Sequence, residues 1–151
     1  MQNNKKHLKS LGISAATNYR FTPPETDHEG RPLGLSKMLE RAHFKKNKAS
    51  GRSVHVRLIA DEFTALCPVT GQPDFGTLEI EYAPGEWIVE TKSLKLYLMQ
   101  FRQFGFFQEE LVQHICDDLS AALEPDYLIV TGDFKPRGGI AIIAEAEYIK
   151  D

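Results

Sequence analysis

The sequence predicts an α+β domain of order β-β-α-α-β-β, with two helices on one face of an antiparallel sheet. Three observations carry this. Apolar and polar residues alternate at 53–60 and 77–82, the spacing turns helical between 93 and 123, and strand-like runs return at 126–134 and 139–148.

Taken in order, residues 1–50 are polar and broken by Pro23-Pro24, Gly30, Pro32 and Gly34. One short helix is expected there, over Ser36–Phe44, with Met38, Leu39 and Ala42 as its apolar face. From Ser53 onward, Val54, Val56, Leu58 and Ala60 alternate with His55, Arg57 and Ile59, the period of a half-buried strand. A loop containing Cys67 and two prolines follows, then a second strand in which Leu78, Ile80 and Tyr82 alternate with Thr77, Glu79 and Glu81. Ser93 is the expected N-cap of a helix through Phe104, with Leu94, Tyr97, Leu98 and Phe101 on one stripe and Gly105 as its stop. A second helix at 107–123 places Leu111, Ile115, Leu119 and Ala122 on one face. The last two strands are joined by the turn Lys135-Pro136-Arg137-Gly138-Gly139. Glu residues on the second and fourth strands mark one sheet face as wet or subunit-facing, and unpaired sheet edges favour oligomer formation.

The 151 residues suit one folded domain, and 42% apolar with 26% charged residues excludes wholesale disorder. The net charge of −3 hides a division. Residues 1–52 hold 11 Lys and Arg against 4 Asp and Glu, whereas 53–151 hold 7 against 17. The chain reads as a basic N-terminal extension, 1–52, on an acidic folded domain, 53–151. The extension lacks the interleaved aromatics of a nucleic-acid stacking platform, so its expected partners are acidic surfaces of neighbouring subunits. No run of about 18 apolar residues suggests a membrane span, and no apolar segment follows the basic N-terminus as in a secretory signal, so the expected compartment is the cytoplasm. Two cysteines make no disulfide framework, and the five histidines show no metal-binding spacing, so no metal is expected.

Chemistry can sit at three places. The segment CPVTGQPD at 67–74 forbids a regular helix and fixes an irregular loop after a strand. Cys67 there is either a nucleophile, if a positive field or backbone donors hold its thiolate, or a small core residue, and Asp74 is a candidate for proton transfer. In ETKSLKLY at 90–97, Lys92 and Lys95 suit a phosphate near a helix N-terminus, or merely solvate a helix start. Glu109, after Gln108, either favours the dipole of its helix or offers two acceptor oxygens to the paired N–H groups of a guanine-like or pterin-like ring. His114 and Cys116 lie beside the apolar stripe of the second helix and are expected to pack.

At these segments the chain resembles the 7-cyano-7-deazaguanine reductases, NADPH-dependent nitrile reductases of queuosine biosynthesis, in their short single-module form. The resemblance spans about 53–145 and rests on LCPVTGQPD, ETKSLKLY and PRGGI at 136–140. It implies a tunnelling fold that assembles through its sheets into homo-oligomers with active sites between subunits. It also implies that Cys67 adds to the nitrile carbon to give a thioimide and that Asp74 protonates nitrogen. By the same resemblance, Val89, Glu90, Thr91, Gln108 and Glu109 bind substrate, while Lys92, Lys95 and Arg137 bind NADPH. One departure stands out: the family's usual Phe-His-Glu is Phe107-Gln108-Glu109 here, and glutamine cannot carry a proton near neutral pH. Two alternatives remain: a non-redox tunnelling-fold transferase that forms an amidine from the same nitrile, and a non-catalytic purine or pterin binding module. The zinc-dependent GTP cyclohydrolase relatives are disfavoured, because their ligand set is absent.

Overall fold

The computed structural model describes residues 25–28, 30–46 and 53–151; Pro23-Pro24 and the rest of the 1–52 extension lie outside the described residues. Among the described residues there are six strands and two α-helices: β1 (Arg41–His43), β2 (Val56–Leu66), β3 (Pro73–Ala83), β4 (Trp87–Val89), α1 (Thr91–Gln100), α2 (Gln108–Leu123), β5 (Tyr127–Arg137) and β6 (Ile140–Ile149). The main sheet is antiparallel with order β2-β3-β5-β6, as expected for the tunnelling fold, and β1 pairs with β4 in a separate two-stranded sheet.

The helices cover one face. Leu78, Ile80, Tyr82, Leu128, Val130 and Phe134 point from the sheet into a core completed by Leu94, Tyr97, Phe101, Leu111, Ile115 and Leu119. Both predicted helical stripes are therefore the core faces. Tyr97, fully buried, donates its hydroxyl to Asp118 Oδ2 at 2.9 Å and so ties α1 to α2. Cys116 is 3% exposed in this core, and burial, with Asp117 and Glu147 nearby, pushes its thiol up to about 11. The opposite sheet face carries Arg57 against Glu79 and Glu81, together with exposed Ile59, Ile143 and Ile149.

One irregularity in β2 decides where the chemistry sits. Val56, Leu58 and Ala60 face the helices, but the pairing with β3 slips between Ala60 and Phe63. A bulge there changes the parity, so that Phe63, Ala65 and then Cys67 face inward. Without it, the strand would present Cys67 to the other face. The predicted alternation ended at Ala60 for this reason, although the strand runs on to Leu66.

Three expectations need correction. Over Ser36–Phe44 the chain forms a 3-10 turn at Leu35–Met38 and then β1, because Arg41–His43 finds a strand partner in β4 that local sequence does not reveal. The cap of α1 is Glu90 and not Ser93: Glu90 accepts N–H bonds from Lys92 at 2.9 Å and Ser93 at 2.7 Å. Ser93 lies inside the first turn, donating to the Glu90 carbonyl. The same helix ends at Gln100 in a 3-10 turn rather than running through Phe104. Phe104 and Phe106 instead bond to Leu66 across the edge of β2, with Gly105 between them as a parallel bridge.

Gly105 lies so close to the Cys67 loop that a Cβ there would stand 2.7 Å from the Pro68 Cα. Gly105→Ala is expected to cost about 1–3 kcal/mol by overpacking. A loss of that size in urea unfolding, with altered Cys67 alkylation, checks the contact.

The described part of the basic extension packs on its own chain. Leu35 is 2% exposed in the core, which contributes about 2 kcal/mol by apolar burial. Arg31 pairs with Glu110 at 3.0 Å, Arg41 with Glu124 at 3.3 Å and Lys46 with Asp126 at 2.6 Å. These three basic residues therefore meet acidic partners within their own chain.

Candidate functional site

Leu66 and Pro73 are paired, so Cys67 to Gln72 form a short hairpin loop whose ends are tied by Cys67 N–H to Gln72 O at 2.8 Å and Gly71 N–H to Cys67 O at 2.9 Å. Gly71 supplies the left-handed φ of 67° that this turn requires. The turn folds the N–H groups of Val69 and Thr70 and the Thr70 hydroxyl back onto the Cys67 sulfur. Thr70 contributes most, followed by the Arg137 guanidinium, and together they outweigh burial and pull the thiol down to about 6. Cys67 is thus a thiolate at neutral pH, whereas Cys116 stays protonated.

Asp74 is 3% exposed and faces the same side as Cys67, since its partner across the ladder is Ala65. Arg137 Nε bonds Asp74 Oδ1 at 3.0 Å, while Oδ2 is buried without a hydrogen-bond partner. A nucleophile, a cation and a carboxylate with one open oxygen stand together. Arg137, expected from sequence at the cofactor, belongs to this cluster in the single chain, and its side chain remains 48% exposed. Val69 and Thr70, whose N–H groups hold the thiolate, escaped the sequence reading. Their only signal was the Thr70-Gly71 turn.

The pH dependence follows from the downward shift. Alkylation of Cys67 by iodoacetamide is expected to rise from pH 5 to 7 and flatten above, with a midpoint near 6. Arg137→Gln removes one stabiliser of the thiolate and moves that midpoint upward by about one unit. Peptide mass spectrometry across a pH series measures both.

The remaining predicted residues separate into two groups. Gln108 is 5% exposed at the start of α2, its Oε1 is buried without a partner, and it lies two residues beyond the Phe106 that bonds Leu66. Glu109 is exposed in the first turn of α2. Val89, Glu90 and Thr91 lie elsewhere. Val89 N–H donates to Tyr82 Oη at 3.3 Å, and Tyr82 is eight residues along β3 from Asp74, about 27 Å of strand. Both Glu90 carboxylate oxygens are engaged by the N-terminal N–H groups of α1, so an anion near Lys92 and Lys95 would meet ammonium groups and not those two donors. Thr91 and Lys95 line a cavity of about 630 Å³ between α1 and β2, floored by Leu58, Ala60, Leu94 and Leu98. Lys95 and Arg102 share this lining with Asp61 and Glu62, so the cavity offers apolar walls with charges of both signs.

Among the described residues, no three His, Cys, Asp or Glu side chains are grouped to hold a metal ion, and no helix is long and apolar enough to cross a membrane. The family model for QueF-like protein matches residues 73–151. The chain is 49% identical over 102 residues to the NADPH-dependent 7-cyano-7-deazaguanine reductase of Anaeromyxobacter sp. (strain K), covering 68% of this chain and 84% of that one. It is 51% identical over 104 residues to the enzyme of the same name from Porphyromonas gingivalis, covering 69% and 68%. Among solved structures, an archaeosine synthase QueF-Like in the apo form matches with a TM-score of 0.58 and 25% identity, over 62% of this chain and 91% of that one.

Proposed function

The chain belongs to the QueF-like family, and from that premise we propose that it is an NADPH-dependent reductase converting the nitrile of 7-cyano-7-deazaguanine to the primary amine for queuosine biosynthesis. The observation that carries the reading on to this chain's residues is the thiolate of Cys67, held beside Arg137 and Asp74.

Cys67 attacks the nitrile carbon. One C≡N bond pair moves to nitrogen, which is protonated by a proton passed from solvent through Asp74 Oδ2, leaving a thioimide on Cys67 and the Asp74 carboxylate still paired with Arg137. Each of two NADPH, when bound, would supply one hydride: after the first the C–S bond breaks, returning the Cys67 thiolate and releasing the imine, and the imine takes the second with a proton to become the amine. Lys92, Lys95 and Arg137 would hold the NADPH phosphates. Gln108 and Glu109 bind the heterocycle, and the unpartnered Gln108 Oε1 accepts one of its N–H groups.

Within one chain Val89 is held at the Tyr82 end of β3, away from the Asp74 end where Cys67 sits, so a second copy of the chain can bring a further 89–91 segment to each Cys67. We place the complete site between two copies of the chain. The exposed edges of β2 and β6 are the surfaces through which a cytoplasmic homo-oligomer assembles. A closed interface also keeps water from a hydrolysable thioimide.

Mixing the protein with 7-cyano-7-deazaguanine and NADPH should oxidise two NADPH per amine formed, followed by absorbance of the reduced cofactor. Binding of the nitrile without oxidation would defeat the reductase reading. Gln108→His adds a titrating group beside the substrate, and a new inflection between pH 6 and 7 in the pH–rate profile is expected. An unchanged profile would place residue 108 outside the proton path.

A further inference from the structure

The described basic extension does more than cover the core, and it lies outside the residues matched by the family model, 73–151. Strand β1 pairs with β4 in the register Arg41↔Val89, Ala42↔Ile88 and His43↔Trp87. One residue further on, Glu90 N–H donates to Glu40 O at 2.8 Å, and Glu40 N–H donates to Ser93 Oγ at 2.9 Å. The backbone of the segment that enters α1 is therefore held by the extension on one side and by its own Glu90 cap on the other.

Arg41 anchors this arrangement. Its guanidinium lies 4.3 Å above the Trp87 ring, donates to Ala122 O at 2.8 Å and pairs with Glu124 at 3.3 Å. Ala122 belongs to the last turn of α2, where carbonyls have no partner within the helix. A planar, permanently charged group can stack on Trp87 while its Nη1 reaches both the Ala122 carbonyl and the Glu124 carboxylate at the end of α2; a lysine ammonium cannot reproduce the stack together with these contacts.

We infer that the segment Leu35–Lys46 is a strap that sets the position of the 89–91 loop, with Arg41 as its positioning residue for the substrate that this loop binds. The inference rests on the proposed substrate role of Val89, Glu90 and Thr91. Arg41 lies away from the Cys67 cluster, so its loss acts on substrate binding and leaves the nucleophile intact.

The test uses the full chain with Arg41→Ala and Arg41→Lys. Trp87 is the only tryptophan, so its emission reports directly on the stack. Arg41→Ala should shift that emission and raise hydrogen exchange in the peptide 87–95 without raising it in 67–74. It should also raise the KM for the nitrile about tenfold with kcat held within about twofold. Arg41→Lys should recover only part of both effects. Unchanged exchange at 87–95, equal acceleration in both peptides, or a fall in kcat at constant KM would each overturn the strap. If wild-type protein fails to reduce the nitrile, the proposed function falls, and the exchange comparison still decides whether the strap holds the loop.

Discussion

Cys67→Ser is expected to lower nitrile reduction at least about 10³-fold, with the midpoint of urea unfolding unchanged. The side chains differ by one atom, and residue 67 sits in a hairpin whose backbone bonds, Cys67 to Gln72 and Gly71 to Cys67, do not involve the sulfur. What changes is the nucleophile. Backbone N–H groups of Val69 and Thr70, the Thr70 hydroxyl and Arg137 bring a thiol to about 6, whereas a serine hydroxyl in the same cradle remains protonated. Steady-state NADPH oxidation measures the loss. Circular dichroism alongside it separates chemistry from unfolding.

Asp74→Asn is expected to lower turnover about 10²–10⁴-fold, the usual range for a missing general acid. The informative part is what it leaves in place. Asparagine keeps the volume of a side chain that is 3% exposed and can still accept from Arg137, but it has no proton to give through the position of Oδ2. Removing the negative charge also frees Arg137 for the sulfur. Alkylation of Cys67 should therefore proceed as fast as in wild type, with its midpoint at or below about 6, while nitrile reduction falls. Parallel loss of alkylation and reduction would assign Asp74 to holding the thiolate instead.

The order of the main-sheet strands and the two helices was legible because each carries a periodic stretch: Leu111, Ile115 and Leu119 lie on one helix face, and Leu78, Ile80 and Tyr82 on one sheet face. What local pattern could not show depends on partners distant in the chain. Arg41–His43 becomes a strand only because Trp87–Val89 lies beside it. The bulge after Ala60 breaks the alternation that marks a strand, so the second half of β2 was invisible although it aims Cys67 inward. Glu90 caps α1 with a longer side chain than the Ser that local preference selects.

At the candidate site, the motif pointed to Cys67 and Asp74, and the fold sets them together with Arg137. Arg137, sixty-three residues beyond Asp74, reaches both because β5 lies next to β3 and ends in an irregular pairing with β6. The same topology ties Val89 to Tyr82, at the far end of β3 from Asp74, a placement that motif order alone concealed.

The central claim is that Cys67 carries the nitrile carbon covalently. The most direct measurement is the intact mass of the protein after incubation with 7-cyano-7-deazaguanine in the absence of NADPH. The predicted result is an increase equal to one nitrile per chain, located on the peptide containing Cys67, absent in Cys67→Ser and discharged when NADPH is added. A protein that reduces the nitrile with NADPH yet shows no such increase, or shows it equally in Cys67→Ser, would contradict the account.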